Sequence, residues 1–313
     1  MKSNFFHYSY ISIVKVLALS FCLLFGSVSI AQGREITVSC PLDVEIGVPF
    51  LLSITVLEGP VSGEVVWCDQ IIPFELLPSS SEQRKDFLLG TNVRTAYPGK
   101  ATLIVKIVAE GEQKHLEFPL IIKAKIYPEE HLTLPNHMVT PPEAALQRIA
   151  KERVETRKVL LHINKESHWE LPLFKPVDGA VTSVYGKRRV LNGRPSSPHA
   201  GVDFRAAQGT KIKAALGGEV VLVADHYFSG RTVFIDSGSG VISIYGHLSR
   251  PYVKNGDFIK KGDVIGESGQ TGRITGPHLH FSLSLQGQLV DPAPLFLLDQ
   301  EPIVSRNQKY FLE

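Results

Sequence analysis

Two histidines stand two residues apart in the run GPHLHFSLSL, residues 276–285. Side chains alternate faces along an extended strand. His278 and His280 therefore share a face with Ser282 and Ser284, while Leu279, Phe281, Leu283 and Leu285 line the other. The apolar face reads as core, and the imidazoles need a different reason. A second segment, PHAGVDF, sets His199 four residues before Asp203. On a straight strand those Cα atoms lie about 13 Å apart. Donors on one tetrahedral metal stand about 3–3.5 Å apart, so the chain must curve, and Gly201 permits that. A third segment, VISIYGHLS, carries Tyr245 and His247, which strand alternation sets on one face. Imidazole and carboxylate suit Zn²⁺. Three protein ligands leave a fourth position for water, and the first two segments offer four donors. One histidine is then left for proton transfer.

The remaining histidines give no such pattern. His115, His131, His137, His162 and His168 have no partner at a telling spacing, and His226 in ADHYFSGRT reads as a loop residue.

The elements that must position these residues are β-strands. From about Leu171 the chain alternates β-branched residues with frequent glycine, and GTKIKAALGGEVVLVA and GDFIKKGDVIGESGQTG read as hairpins. No βαβ rhythm appears. Residues 127–170 form a linker. Within it Thr140 and Glu143 make a capping box with Pro141 at the first helical position, and apolar periodicity predicts a charged helix of about 20 residues. Residues 32–126 contain short strands such as ITVSC, FLLSITVLEG and EVVWC separated by Gly, Pro and Ser, which predicts a β-sandwich of immunoglobulin type. The fold class is therefore mainly β. Neither the sandwich nor the helix carries chemistry of its own. Both are candidates to cover the site at rest, with His131, His137 or an acid of YPEEH reaching towards the metal.

The 313 residues allow two modest domains, and 43% hydrophobic against 20% charged residues excludes a disordered chain. Lys2 and Lys15 precede or open an apolar run, Val16 to Ile30, followed by Ala31, with Ser29 and Ala31 small at the positions a signal peptidase reads. Residues 1–31 read as a secretory signal peptide. The other reading, an uncleaved anchor, is disfavoured because a span needs about 20 apolar residues. Cleavage lowers Lys+Arg from 33 to 31, equal to Asp+Glu, so nothing points to nucleic acid. Cys40 and Cys68 remain. Export into an oxidising compartment makes them a candidate disulfide, contributing about 3–4 kcal/mol. The alternative is two buried thiols.

The ordered set RPSSPHAGVDF, SIYGHLS and TGPHLHFSL, with GTKIKAALGGEV and VKNGDFIKKGDVIGESGQTG between, resembles the lysostaphin-type (LytM-type) zinc metalloendopeptidases over about residues 174–296. The resemblance implies a β-rich domain of the duplicated hybrid motif type at residues 171–298, followed by a tail, 299–313. It implies one Zn²⁺ per chain on His199, Asp203 and His280, with His247 and His278 as catalytic histidines beside it. Tyr245 and Asn192 are candidate groove residues. The implied substrate is the peptide stem of bacterial peptidoglycan, cut outside the cytoplasm, in the periplasm or cell envelope. None of the five positions departs from the family pattern. This argues against a catalytically silent wall-binding or activator protein on the same fold. It also argues against a biotinyl or lipoyl carrier, which shares the glycine-rich hairpin but has no metal set.

Overall fold

The computed structural model describes residues 36–133, 141–297 and 307–312, apart from positions 58, 78–80 and 110. The proposed signal peptide, Thr140 and His137 lie outside the described residues.

The N-terminal half builds two sheets. One has the order β22-β1-β3-β6, from β1 (Ile36–Pro41), β3 (Phe50–Val56), β6 (Gln83–Leu89) and β22 (Asn307–Leu312). The other has the order β2-β8-β7-β4-β5, from β2 (Asp43–Glu45), β4 (Val61–Trp67), β5 (Gln70–Leu76), β7 (Gly99–Ala109) and β8 (Glu112–Lys123). Period-two alternation supplies the core between them: Val38, Leu52 and Ile54 from one sheet meet Val65, Leu103, Val105 and Phe118 from the other. Strand β22 falls where the sequence reading left a tail. Its backbone pairs antiparallel with β1, from Ile36 opposite Leu312 to Pro41 opposite Asn307.

The expected Cys40–Cys68 bridge is not formed, and both thiols are free. Cys40 is buried in β1. Strand β4 ends at Trp67, and Cys68 and Asp69 form the two-residue hairpin tip to β5, with φ of 48° and 60°. Two positive φ values match the twist of a type I′ hairpin. They take Cys68 out of the strand and to the exposed end of the other sheet.

The connecting helix α1 runs Glu143–Leu160 with Pro142 as its N-cap and no side-chain cap hydrogen bond. It therefore starts later than a capping box at Thr140 implies. Before it, β9 (Glu129–Leu132) pairs in parallel with β11 (Arg188–Leu191), which turns into β12 (Arg194–Pro195).

The C-terminal half is one large sheet. Its central path is β10 (Val181–Ser183), β13 (Val202–Arg205), β20 (His278–Leu285), β17 (Val241–Pro251), β16 (Gly230–Asp236), β15 (Gly218–His226) and β18 (Phe258–Ile259). Three more strands join it: β14 (Lys211–Lys213), β19 (Val264–Ser268) and β21 (Gln288–Val290). The two expected hairpins are not hairpins. Strands β14 and β15 do not pair with each other; β14 pairs with β19, and β15 with β18. The connection Ala214–Ala215–Leu216 is wholly buried, whereas a hairpin tip would leave these apolar residues in water. The two segments cross instead, and Ala214 N–H donates to Asp263 O at 2.8 Å.

One face of this sheet packs Phe204, Tyr245, Phe281 and Leu283 into the main core. The other face buries Leu222, Phe234, Ile242 and Ile244 against Val159 and Leu160 at the end of α1. Ile242 and Ile244 stand opposite Ser284 and Ser282 in register, and Gly246 opposite His280. This second face therefore runs from the helix-covered patch to the histidines.

Candidate metal centre

The site is assembled where β13 lies against β20. The register sets Asp203 opposite His280, and cross-strand partners share a face. His280 Nδ1 lies 2.8 Å from Asp203 Oδ1. His199 precedes β13 in a turn held by backbone hydrogen bonds from Gly186 N–H to His199 O and from His199 N–H to Lys187 O. Its Nε2 lies 3.1 Å from His280 Nδ1 and 3.1 Å from Asp203 Oδ1. Three donor atoms from three positions thus form a nearly equilateral triangle. Among the described residues this is the one group of three His, Cys, Asp or Glu donors gathered closely enough for a metal.

Tautomers follow from the partners, because a carbonyl oxygen only accepts. His199 Nδ1–H donates to Val184 O at 2.9 Å, leaving the Nε2 lone pair for the triangle. His280 is turned the other way: Nε2 lies 2.9 Å from Ser282 Oγ, a hydroxyl that can donate or accept, and Nδ1 faces inward. Outer hydrogen bonds of this kind fix ring orientation in metal sites. Burial opposes the Asp203 charge. Hydrogen bonds that His199 and His280 give it when they carry the additional proton, with their charges, outweigh it and hold the carboxyl well below the usual carboxylate range. Burial lowers the basicity of His280, which favours the neutral, ligating form. A borderline donor set of two imidazoles and one carboxylate fits a divalent metal such as zinc.

Two further histidines flank the triangle. His278 Nδ1–H donates to Gly276 O at 3.0 Å, and its Nε2 lies 3.6 Å from Asp203 Oδ1. His247 Nδ1–H donates to Thr271 O at 2.9 Å, and its ring centre is 4.8 Å from that of His278. Each presents an Nε2 lone pair. Burial and the neighbouring His280 push the His247 pKa down to about 4.

His247 reaches this face through a backbone irregularity. Pairing of β16 with β17 shifts between Val233–Tyr245 and Arg231–Leu248, and His247 has φ of 61°. The extra residue is a β-bulge, which re-aims a side chain. Tyr245 and His247 therefore do not share a face. Tyr245 is fully buried in the core. Its hydroxyl accepts from Ala215 N–H at 2.6 Å and donates to Ser243 Oγ at 3.1 Å, and burial raises its pKa to about 12. It is not a groove residue. Asn192 sits with Gly193 at the β11–β12 hairpin tip, both with positive φ.

Gly201 stands at a bend just before β13, as the curved path from His199 to Asp203 requires. A Cβ there would stand 2.3 Å from Phe281 O, 2.4 Å from Ser282 Oγ and 2.9 Å from His280 Cε1. The same glycine lets β20 approach closely.

The described part of the segment expected to reach the metal pairs elsewhere. His131 meets Glu129 at 2.7 Å, and Glu130 pairs with Lys187 at 3.2 Å and Arg189 at 3.5 Å. The described scattered histidines likewise sit beside acids: His115 by Glu117, His162 by Asp236, His168 by Glu166. His226 is not in a loop but buried at the end of β15, 3.5 Å from Glu155 of α1.

Sequence reasoning missed the groups that hold the site. Arg189 Nη2 lies 3.9 Å from Asp203 Oδ2. Helix α1 grips the 225–231 turn: Glu152 accepts from Tyr227 N–H at 2.9 Å, and Arg148 donates to Asp225 O at 2.6 Å while pairing with Glu152 at 2.6 Å. Two residues on, Ser229 O accepts His247 N–H at 2.7 Å. Backbone acceptors carry no sequence signature. Ser282 did carry one, by lying two residues from His280 on its face.

With this geometry in hand, comparison places the chain among metallopeptidases. The profile of peptidase family M23 matches residues 197–292, which hold every residue of the site. A crystal structure from Pseudomonas aeruginosa assigned to peptidase M23 is 30% identical, covers 76% of this chain and 89% of its own, and has a TM-score of 0.58. The chain belongs to peptidase family M23. The peptidoglycan DD-endopeptidase ShyA of Vibrio cholerae is 41% identical over 119 residues, 37% of this chain and 28% of that protein. Its counterpart ShyB is 34% identical over 142 residues, 44% of this chain and 33% of that protein. The matched segment thus spans a third or less of either relative's length.

Proposed function

We propose that the protein is an exported, zinc-dependent endopeptidase that hydrolyses peptide cross-links of bacterial peptidoglycan. The observation that carries this is the triangle of His199 Nε2, Asp203 Oδ1 and His280 Nδ1, with the imidazoles of His247 and His278 beside it. The similarity to ShyA and ShyB supports the choice of peptidoglycan.

His199, Asp203 and His280 would hold one zinc per chain. Bound there, zinc polarises the amide carbonyl and lowers the pKa of water towards 7. His278, nearer the triangle, takes the proton of the attacking water at Nε2 and returns it to the leaving amine. His247 also presents a lone pair at rest. It therefore hydrogen-bonds a developing oxyanion only when protonated at Nε2, with that proton taken from solvent and returned to it, a refinement of a simple hydrogen-bond-donor role. Thr271 O and Gly276 O keep both rings turned with Nε2 inward.

The test is digestion of purified sacculi, with the new amine end identified, before and after chelation and zinc return. Cross-link cleavage that chelation abolishes and zinc restores is expected. Undiminished cleavage by metal-free protein would overturn the reading.

A further inference from the structure

A cavity of about 530 Å³ lies between the 174–179 segment and residues 205–213, within the range of roughly 300–1,000 Å³ usual for ligand sites. Its place in the fold ties it to the metal centre. Arg205 lines it, two residues beyond Asp203 on β13 and opposite His278 in register. Two residues of strand advance about 6.6 Å.

The lining is cationic over an apolar floor. Lys175, Arg205, Lys211 and Lys213 line it against one acid, Asp178. Lys211 is neutralised by Glu267 at 2.7 Å. Lys175, Arg205 and Lys213 have no ion-pair partner among the described residues. The Lys213 ammonium sits 5.4 Å from the centre of the Phe174 ring, and that of Lys175 6.0 Å from the Phe204 ring. Such contacts place the stems without neutralising them. Pro176, Val177 and Ala206 are buried and supply the floor.

We propose that this cavity is a carboxylate subsite of the peptidase. It receives a substrate residue ending in a free carboxylate, with the aliphatic part over the floor and the charge among Arg205, Lys175 and Lys213. This rests on reading the neighbouring triangle as a peptide-cleaving centre. A guanidinium fork matches a carboxylate. An extended peptide advances about 3.3 Å per residue, so a residue about two positions from the bond cut reaches the cavity. The apolar floor selects a carboxylate on a hydrocarbon stem over a bare phosphate.

The experiment measures equilibrium binding of an uncross-linked stem peptide, and of its fully amidated form, to the zinc-loaded protein at low salt. Inorganic phosphate is the competing anion, and cleavage of cross-linked versions is followed in parallel. Amidation is expected to weaken binding about tenfold, the scale of one charge-assisted hydrogen bond partly screened by solvent. Arg205→Ala and Lys213→Ala should weaken the acid peptide, leave the amidated peptide unchanged and keep zinc, since both side chains are exposed. Equal binding of the two peptides, equal weakening of both by Arg205→Ala, or phosphate binding as tight as the acid peptide would overturn the subsite. Carboxylate-selective binding without any cleavage would support the subsite and count against the endopeptidase reading instead.

Discussion

His247 donates from Nδ1 to the backbone oxygen of Thr271 at 2.9 Å, so its other nitrogen faces the site as an acceptor. His247 belongs to no ligand triangle, and neither does His278. Removing either should leave the metal in place. His247→Ala and His278→Ala should each retain about one zinc per chain after dialysis and lose turnover by a factor of about 10²–10⁴. His280→Ala removes a proposed ligand and should lose the zinc, with a fall in melting temperature, because metal binding energy supports the folded state. Zinc analysis paired with cross-link cleavage reads all three. Loss of zinc from His278→Ala and retention by His280→Ala would reverse the two assignments.

The metal-free protein should lose stability as pH falls from about 6.5 to about 4. Burial first, then the His280 charge, holds the folded His247 pKa near 4, against 6.5 for an unconstrained histidine. In that window the unfolded chain binds a proton that the folded chain refuses, so folding is penalised as pH drops. The contribution is fully present above 6.5 and amounts to about 3 kcal/mol when lost. His280 is shifted in the same direction. Asp203, held below the usual carboxylate range, keeps its contribution throughout this window. Urea unfolding of metal-free wild type and His247→Phe at pH 7.5 and 5 should show the smaller pH dependence in the variant. Equal dependence would remove His247 as a cause.

The donor set was legible because metal chemistry demands a few residue types at close range, and HAGVD and HLH supply them. The strand pattern of β20 was legible for the same reason that its face is half polar. Alternation failed at Tyr245 and His247, where a bulge adds one residue and nothing in YGH announces it beyond the glycine. It failed for the hairpins because AALG is buried, and local turn chemistry cannot see a partner strand about fifty residues away. The helix was legible as a helix. Its grip on the 225–231 turn was not, because glutamates on a charged helix look alike until one of them meets a backbone N–H.

Gly201→Ala should disrupt the metal centre without touching a ligand. The added carbon would meet Phe281 O at 2.3 Å and His280 Cε1 at 2.9 Å. Backbone cannot yield as a flexible side-chain end can, so β13 and β20 must separate locally. A loss of about 1–3 kcal/mol is expected from overpacking, with zinc affinity reduced in parallel. Isothermal titration with zinc and thermal unfolding check both. Wild-type affinity in a folded Gly201→Ala protein would show that the strands tolerate the spacing.

Glu152 should matter to turnover from a helix that carries no catalytic group. Its carboxylate accepts Tyr227 N–H, and the turn it holds supplies Ser229 O to His247 N–H. Glu152→Ala should lower kcat severalfold and leave KM and zinc content unchanged, whereas Glu152→Gln, which keeps an acceptor oxygen, should recover most of the rate. Loss of zinc or a shift confined to KM would assign the residue to stability or binding and not to placing His247.

Cys40 and Cys68 should behave as slow, free thiols. Cys40 is fully buried, and burial pushes its pKa up to about 12. Cys68 is exposed as a residue, but its sulfur turns towards Gly90 O at 4.0 Å. Burial of the thiol, with Asp69 beside it, raises its pKa to about 11. The nucleophile is the thiolate, so both should alkylate slowly in the native state at pH 8. Unfolding without reductant should then label both Cys40 and Cys68. Complete absence of label would establish the bridge that the hairpin geometry of Cys68 disfavours. Substitution should separate the sites: Cys40→Ser buries a hydroxyl in an apolar core, at a cost of about 1–3 kcal/mol. Cys68→Ser, at an exposed hairpin tip, should stay within about 0.5 kcal/mol of wild type. Comparable losses at both positions would mean that Cys68 is packed, or bridged, in solution.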